Sequence, residues 1–380
     1  MKKPLSIYIH IPFCKSKCHY CNFVSMVAGR EKVDHYIEML KREITLRAKE
    51  LSPTHEIVSV YIGGGTPSSL PEQKIQDILH TIYTNFNVTN SAEITIEINP
   101  ATVDKNKVDE YLRSGINRFS IGLQSASPHL LKLMGRTHSY EDFKNTVKIL
   151  RSAGAENISA DVMIGLPNQT LEDIESTIAK IASLNIQHVS AYLLSIEEGT
   201  NFHRLVNAGE LTLPTESATI NFYNKVFSLL QKHGFLRYEF SNFAKPGYES
   251  RHNNIYWGRK EYIGFGVASH SYVGGVRFSN TSDVSLYIKN LEDNAITLET
   301  KDVLTTEEKQ EEAIMLSLRL ANGINLDEYE REFGENLLEK QKDTIKFLIE
   351  ERLLELDEMN RLKATSKGFL VLNKIIEMLI

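Results

Sequence analysis

The chain has 380 residues, 42% hydrophobic and 24% charged, which are the proportions of an ordinary globular protein rather than a disordered one. Its net charge of −6 resides wholly in residues 301–380, which hold 12 Lys/Arg against 18 Asp/Glu; an acidic appendage on a neutral body argues against nucleic acid as the main partner. No run approaches the roughly 20 apolar residues of a membrane span, so no integral membrane segment is expected.

The N-terminus, Met1-Lys2-Lys3-Pro4-Leu5, passes into an alternating strand without an apolar signal core. A cytoplasmic protein is therefore expected, in a compartment where thiols stay reduced. The first strand, Leu5–Ile11, ends at Pro12 and is followed by Cys14, Cys18 and Cys21, the three cysteines of the chain, in a C-x3-C-x2-C spacing. The odd count and the lack of a distant partner exclude a disulfide framework. Two readings remain from this loop alone: a structural zinc with His10 or His19 as fourth ligand, or an iron–sulfur cluster with one iron left open.

Beyond the loop, short β-branched runs alternate with amphipathic stretches. Strands are predicted at Ile57–Ile62, Glu93–Ile98, Asn117–Leu123, Asn157–Ile164 and Gln187–Leu193, with helices near 31–50, 71–86, 104–114, 139–153 and 170–184. Repeated β-α order implies parallel strands with right-handed crossovers, and six strands are too few for a closed eight-stranded barrel. The predicted fold is α/β, a partial (β/α)6 barrel, with its chemistry at the C-terminal strand ends.

Those strand ends carry unusual residues. The second runs into Gly63-Gly64-Gly65-Thr66-Pro67, where missing side chains expose backbone groups to a ligand. The third carries Glu97 and the fourth Gln124, while Asp161 lies within the fifth. Taken singly, each is an ordinary hydrogen-bonded core polar residue, and Arg136 an ordinary surface one. Taken together with the cysteines, they could present donors and acceptors to a zwitterionic amino-acid group and a ribose.

The cysteine loop and triple glycine resemble the cluster motif and methionine-binding segment of the radical S-adenosylmethionine superfamily. More narrowly, Tyr8-Ile9-His10-Ile11-Pro12-Phe13-Cys14, Gly63-Gly64-Gly65-Thr66-Pro67-Ser68, Ile121-Gly122-Leu123-Gln124-Ser125 and Gly165-Leu166-Pro167-Asn168-Gln169-Thr170 resemble the oxygen-independent coproporphyrinogen III oxidase family and, within it, the HemW haem chaperones. The resemblance implies a [4Fe-4S] cluster on Cys14, Cys18 and Cys21, whose fourth iron is chelated by S-adenosylmethionine. It implies that Tyr8 contacts the methionine part and that the backbone of Gly64, Gly65 and Thr66 holds the amino group. Glu97 and Gln124 would contact the cofactor, Arg136 its carboxylate and Asp161 its ribose hydroxyls. A planar guanidinium suits a carboxylate, and an acid suits two hydroxyl donors.

Two departures separate the chain from the oxidase. Phe23 stands where the oxidase has an extra cysteine, and the oxidase's longer N-terminal extension has no counterpart before residue 5. Porphyrinogen decarboxylation is therefore doubted, and whether the chain is an enzyme stays open. Arg251-His252-Asn253-Asn254-Ile255-Tyr256-Trp257 resembles the H-N-x-x-Y-W segment of the haem chaperones, which implies a haem contact at His252, with His270 as the alternative axial ligand.

Three domains are expected: the barrel over 1–240, a haem-motif loop and connector over 241–304, and a winged-helix-like α+β domain over 305–380. The last reads as three helices, a hairpin and a final helix, and its acidity favours protein docking or a lid. The expected function is a haem chaperone that binds a cluster, S-adenosylmethionine and haem. It would deliver haem to an acceptor protein, with transient contact to a membrane haem protein. A coproporphyrinogen oxidase, or a radical enzyme on another substrate, is the alternative.

Overall fold

The structure is a computed structural model and describes residues 2–380. Six strands run parallel in sequence order: β1 (Lys3–Ile11), β2 (His55–Gly64), β3 (Val88–Ile98), β4 (Arg118–Gln124), β5 (Asn157–Ile164) and β6 (His188–Leu193). Alternation of polar and apolar residues drives this arrangement. Ile7, Ile9, Val60, Ile62, Ile96, Phe119 and Ile121 point outward and are fully buried under the crossover helices, each stabilising the fold by about 1.5–3 kcal/mol.

The helices begin where their caps dictate. Ser139 with Asp142, and Thr170 with Asp173, form capping boxes ahead of helices Tyr140–Ser152 and Leu171–Ala182. Gly115 and Gly154, which follow helices Lys105–Arg113 and Tyr140–Ser152, have φ of 92° and 96°, a backbone state that glycine adopts without strain. The five helices and six strands predicted for residues 1–193 are all present, their ends differing by a few residues at most, except that β3 starts five residues earlier at Val88.

The opposite face of the same strands is polar and forms the barrel interior. Ser6 and Ser59 hydroxyls lie 2.7 Å apart, Tyr61 donates to Glu97 at 2.9 Å, and Ser159 meets His188 Nδ1 at 2.8 Å. Buried polar groups must be paired, and most of these bonds run between neighbouring strands.

Residues 241–304 differ from the loop and connector expected. The chain places β7 (Leu236–Arg237) and β8 (Asn242–Ala244) antiparallel beyond β6, and then crosses to the other edge. There β9 (Tyr262–Phe265) pairs parallel with β1, followed by antiparallel β10 (His270–Val273), β11 (Val276–Asn280) and β12 (Leu298–Val303). The partial barrel is thus embedded in a twelve-stranded sheet. These added strands are two to six residues long, too short for periodicity to declare them.

Residues 305–380 hold helices Thr306–Ser317, Leu326–Phe333, Lys342–Glu350 and Leu372–Leu379 around a small sheet. In that sheet β15 (Arg361–Ala364) lies between β14 (Leu354–Leu356) and β13 (Ile324–Asn325), and the segment encloses an apolar cluster of its own. Its contacts with the barrel use arginines: Arg259 forks onto Glu332 at 2.9 and 2.5 Å, and Arg237 stacks 3.6 Å over the Phe369 ring. No described helix is long and apolar enough to cross a membrane.

Helix Arg251–Trp257 closes the base of the barrel. The Arg251 and His252 backbone N–H groups donate to Glu93 at 3.1 and 3.0 Å. His252 is 1% exposed, with Nδ1 against Ser59 Oγ and Nε2 against Tyr256 OH, both at 2.9 Å. In this fold both ring nitrogens of the residue expected to meet haem have protein partners, and the ring plugs the barrel base. His270 is exposed on β10. Burial, and then the Arg118 charge, push the His252 pKa down to about 3 from an ordinary 6.5.

His252→Ala removes a partner from two buried hydroxyls and is expected to cost about 1–3 kcal/mol near neutral pH, while leaving the absorption spectrum of added haem unchanged. Because the unfolded chain binds a proton at this histidine below 6.5 and the folded one does not, wild-type stability falls as pH drops towards 3. The cost of His252→Ala should therefore shrink with acidification in denaturation measured across that window. A shifted haem spectrum would restore the axial role.

Candidate functional site

The site begins where β1 meets the cysteine loop. The loop is closed at its neck by Met26 N–H donating to Pro12 O at 2.8 Å and Cys14 N–H donating to Met26 O at 3.0 Å. His10 ties the return limb, with Nε2 at 2.8 Å from Val24 O, while its Nδ1 sits 3.1 Å from the Tyr8 hydroxyl. Burial lowers the His10 pKa, so the ring is neutral. His19 is held by Nδ1 at 2.8 Å from Leu133 O. The zinc reading loses support here: the nitrogens of His10 and Nδ1 of His19 have other partners.

The end of β2 locks onto this neck. Gly65 and Thr66 donate their N–H groups to Ile11 O and Phe13 O, both at 2.8 Å. The glycines are needed sterically. A Cβ on Gly65 would fall 2.7 Å from Phe13 O, and one on Gly64 would fall 2.7 Å from the His10 ring. Gly64 N–H donates to Glu97 at 3.2 Å. With all three N–H groups used, an incoming amino group, itself a donor, can meet only acceptors along this edge.

A cavity of about 380 Å³ opens at the C-terminal ends of the strands. Its walls include Cys14, Cys18 and Cys21 on one side, Gly64, Gly65 and Thr66 at the end of β2, and Glu97, Gln124, Arg136 and Asp161 beyond. The three thiols are free and half-buried. Among the described residues no three His, Cys, Asp or Glu groups converge on one point as a single metal ion demands. A multi-iron cluster needs no such convergence, because each thiolate binds a separate iron. The donor set of three thiols without a fourth protein ligand suits a cluster with one open iron.

Charge is arranged around the same space. Arg136 donates to Gly122 O at 2.5 Å, Asn99 Oδ1 at 3.0 Å and Cys18 Sγ at 3.5 Å. It is held by the Gly135 turn, at φ 71°, where a Cβ would fall 3.0 Å from the His19 ring. Thr66 donates to Cys14 Sγ at 3.5 Å and accepts from Asn99 at 3.0 Å. Burial and the neighbouring Asp161 push the Glu97 pKa up to about 7. Burial also raises Asp161, which accepts from Ser120 at 3.1 Å.

Ten of the twelve residues expected from sequence line this one cavity. Tyr8 does not line it: its hydroxyl is bonded to His10, and its ring lies 6.3 Å from the stacked ring of Tyr61. His252 belongs to the barrel base. Sequence reasoning passed over Asn99, Ser120 and Tyr61, which share the inward register of Glu97 and line the cavity. Alternation would have found them, since all three continue the polar face of strands already recognised. Phe23, in place of the oxidase cysteine, is 60% exposed at the cavity wall.

A family profile described as the radical SAM superfamily matches residues 8–181, and one described as the HemN C-terminal domain matches residues 304–371. A protein of Bacillus subtilis (strain 168) described as heme chaperone HemW is 36% identical over 372 residues, 97% of each chain. The protein of Escherichia coli (strain K12) with the same description is 37% identical over 271 residues, 71% of this chain and 70% of the relative. Coproporphyrinogen III oxidase (HemN) from Escherichia coli superposes with a TM-score of 0.86 over 100% of this chain and 90% of that chain, at 22% identity, a likeness of fold. On these matches, and on a fold and cavity that accord with them, the chain belongs to the radical SAM superfamily and, within it, to the family of the HemW haem chaperones.

Proposed function

We propose that the protein is a haem chaperone built on a radical S-adenosylmethionine scaffold. It holds a [4Fe-4S] cluster on Cys14, Cys18 and Cys21, takes S-adenosylmethionine into the adjoining cavity, binds haem, and passes haem to an acceptor protein. One observation carries the cofactor part: the three free thiols and the polar rim of five strands line a single cavity. The cluster, when bound, supplies an iron that accepts the amino and carboxylate groups of S-adenosylmethionine.

The chain's own residues then have separate tasks. The strand end at Gly64–Thr66 offers the amino group acceptors only, because its N–H groups are taken. Arg136, a permanent cation, faces the carboxylate. Asp161 and Glu97 accept hydroxyl hydrogens, Asp161 those of the ribose, and Gln124 bonds the remaining polar edge. Tyr8 supports His10 and hence the cysteine loop from below. Haem and its transfer rest on the likeness to proteins described as haem chaperones. The domain division into 1–240, 241–304 and 305–380 is proposed with the middle part as an extension of the sheet, and a cytoplasmic site of action is proposed with it.

Anaerobic reconstitution is expected to give about four irons and four sulfides per chain, and Cys14→Ser, Cys18→Ser or Cys21→Ser to abolish the cluster. One tightly held zinc per chain, indifferent to oxygen, would refute this. For the cargo, the reconstituted protein should bind haem in a titration and release it to a haem-free acceptor, and should leave coproporphyrinogen III unchanged. Cys18→Ser should keep haem affinity while losing the cluster. Conversion of coproporphyrinogen III by the loaded protein would put the oxidase reading first.

A further inference from the structure

A row of hydrogen bonds joins two of the three thiols. Arg136 Nη1 donates to Cys18 Sγ at 3.5 Å and Nη2 to Asn99 Oδ1 at 3.0 Å; Asn99 Nδ2 donates to Thr66 Oγ1 at 3.0 Å, and the Thr66 hydroxyl donates to Cys14 Sγ at 3.5 Å. Asn99 is the middle of this row. It is the first residue past β3, and its backbone is pinned there, with its N–H donating to Ser68 Oγ at 3.1 Å and its carbonyl accepting from the Thr102 hydroxyl at 2.6 Å. Gly122 leaves the room that the row needs, since a Cβ there would fall 2.8 Å from Arg136 Nη2 and 3.4 Å from Asn99 Oδ1.

The direction of each bond follows from its chemistry. A guanidinium only donates, so the Asn99 amide must turn Oδ1 to Arg136 and therefore Nδ2 to Thr66. Nδ2 takes an acceptor position on the Thr66 oxygen, which leaves the hydroxyl hydrogen for another acceptor. The Cys14 sulfur is in reach, and a sulfur bound to iron has lost its proton and can only accept. Were the amide reversed, the Thr66 hydrogen would go to Asn99 and Cys14 would face a lone pair. A second cavity, of about 190 Å³, adjoins the first, and Cys18, Thr66, Asn99 and Arg136 line both. A wall with space on two sides takes its geometry from its own bonds rather than from packing.

We propose that Asn99 is a positioning residue for the iron–sulfur cluster: it holds Thr66 and Arg136 with one hydrogen pointed at each of two cluster sulfurs, and so raises the reduction potential. Hydrogen bonds to the sulfurs stabilise the more negative, reduced state. The role rests on the cavity reading given above and goes beyond it, because it assigns control of the potential to a residue that supplies no ligand to iron.

The test measures the midpoint potential of reconstituted protein free of S-adenosylmethionine, so that Arg136 keeps the bonds described. Iron and sulfide content is determined first, and reduction is followed by magnetic resonance and visible absorption. Asn99→Ala is expected to lower the equilibrium constant for reduction by about tenfold, a midpoint about 59 mV more negative for one electron. Thr66→Val, which removes one of the two donors, should lower it by about threefold, and Thr66→Ser, which keeps the hydroxyl, should restore the wild-type value. Asn99→Ala introduced together with Thr66→Val should add less than it does alone, because the part that acts through Thr66 is already lost. An asparagine that served only the fold would alter cluster yield or melting temperature and leave the potential in place. Asn99→Leu, which keeps the volume without the hydrogen bonds, carries the same test should Asn99→Ala not load a cluster. Loaded Asn99 variants with the wild-type potential overturn the proposal and leave the cavity reading intact. A wild-type protein that assembles no cluster refutes the cavity reading, and the proposal falls with it.

Discussion

The site depends on one close approach of backbone to backbone. The end of β2 lies against the neck of the cysteine loop so tightly that Gly65 and Thr66 bond directly to Ile11 and Phe13, and a single methyl on Gly65 would meet three backbone atoms within 3 Å. That contact makes the thiol loop and the far wall of the cavity one rigid piece. The distance between a cluster and whatever binds beside it is then set by a sheet rather than by a mobile loop. His10 reinforces it, because its ring occupies the space that the missing Gly64 side chain leaves and holds Val24 on the loop's return limb. Functional groups placed on rigid elements keep geometry that loops alone do not.

A second constraint is the two-faced strand. Outside, isoleucine and valine pack on helices and supply the apolar burial that holds the barrel together. Inside, the same strands carry serines, tyrosines, acids, histidines and an arginine, so the interior is stabilised by pairing rather than by exclusion of water. This makes the interior costly to disturb. It also explains why the base is sealed by a helix whose N-terminal N–H groups fall on Glu93 rather than by an apolar plug. Polar side chains thus run from that helix to the cavity floor.

Much of this was legible in the sequence because the signals were local and periodic. The six strands follow from alternation, the helix ends from capping residues and glycines, and the cysteine loop and triple glycine from their spacing after two strands. Asn99, Ser120 and Tyr61 were equally within reach, since the period that exposed Glu97 also points them inward. The strands β8 to β12 were not, being short, and β9 takes its parallel partner from distant β1. His252 shows the limit most clearly. Its aromatic neighbours in sequence suggested a ligand surface, but whether an imidazole is open or plugged is decided by Ser59 and Tyr256, and Ser59 comes from β2, far away in sequence. Tyr8 lies outside the cavity wall although it shares the layer of Tyr61, which lines it: its hydroxyl is taken by His10.

The account's central claim is that the iron left free by three cysteines is met by S-adenosylmethionine in this cavity. It is tested most directly by magnetic resonance of the reduced, cluster-loaded protein with S-adenosylmethionine carrying nitrogen-15 in its amino group and oxygen-17 in its carboxylate. The account predicts a changed cluster signal on addition, with hyperfine coupling from both labels and its loss in the unlabelled control. A cluster signal indifferent to S-adenosylmethionine, with coupling from neither label, would contradict it.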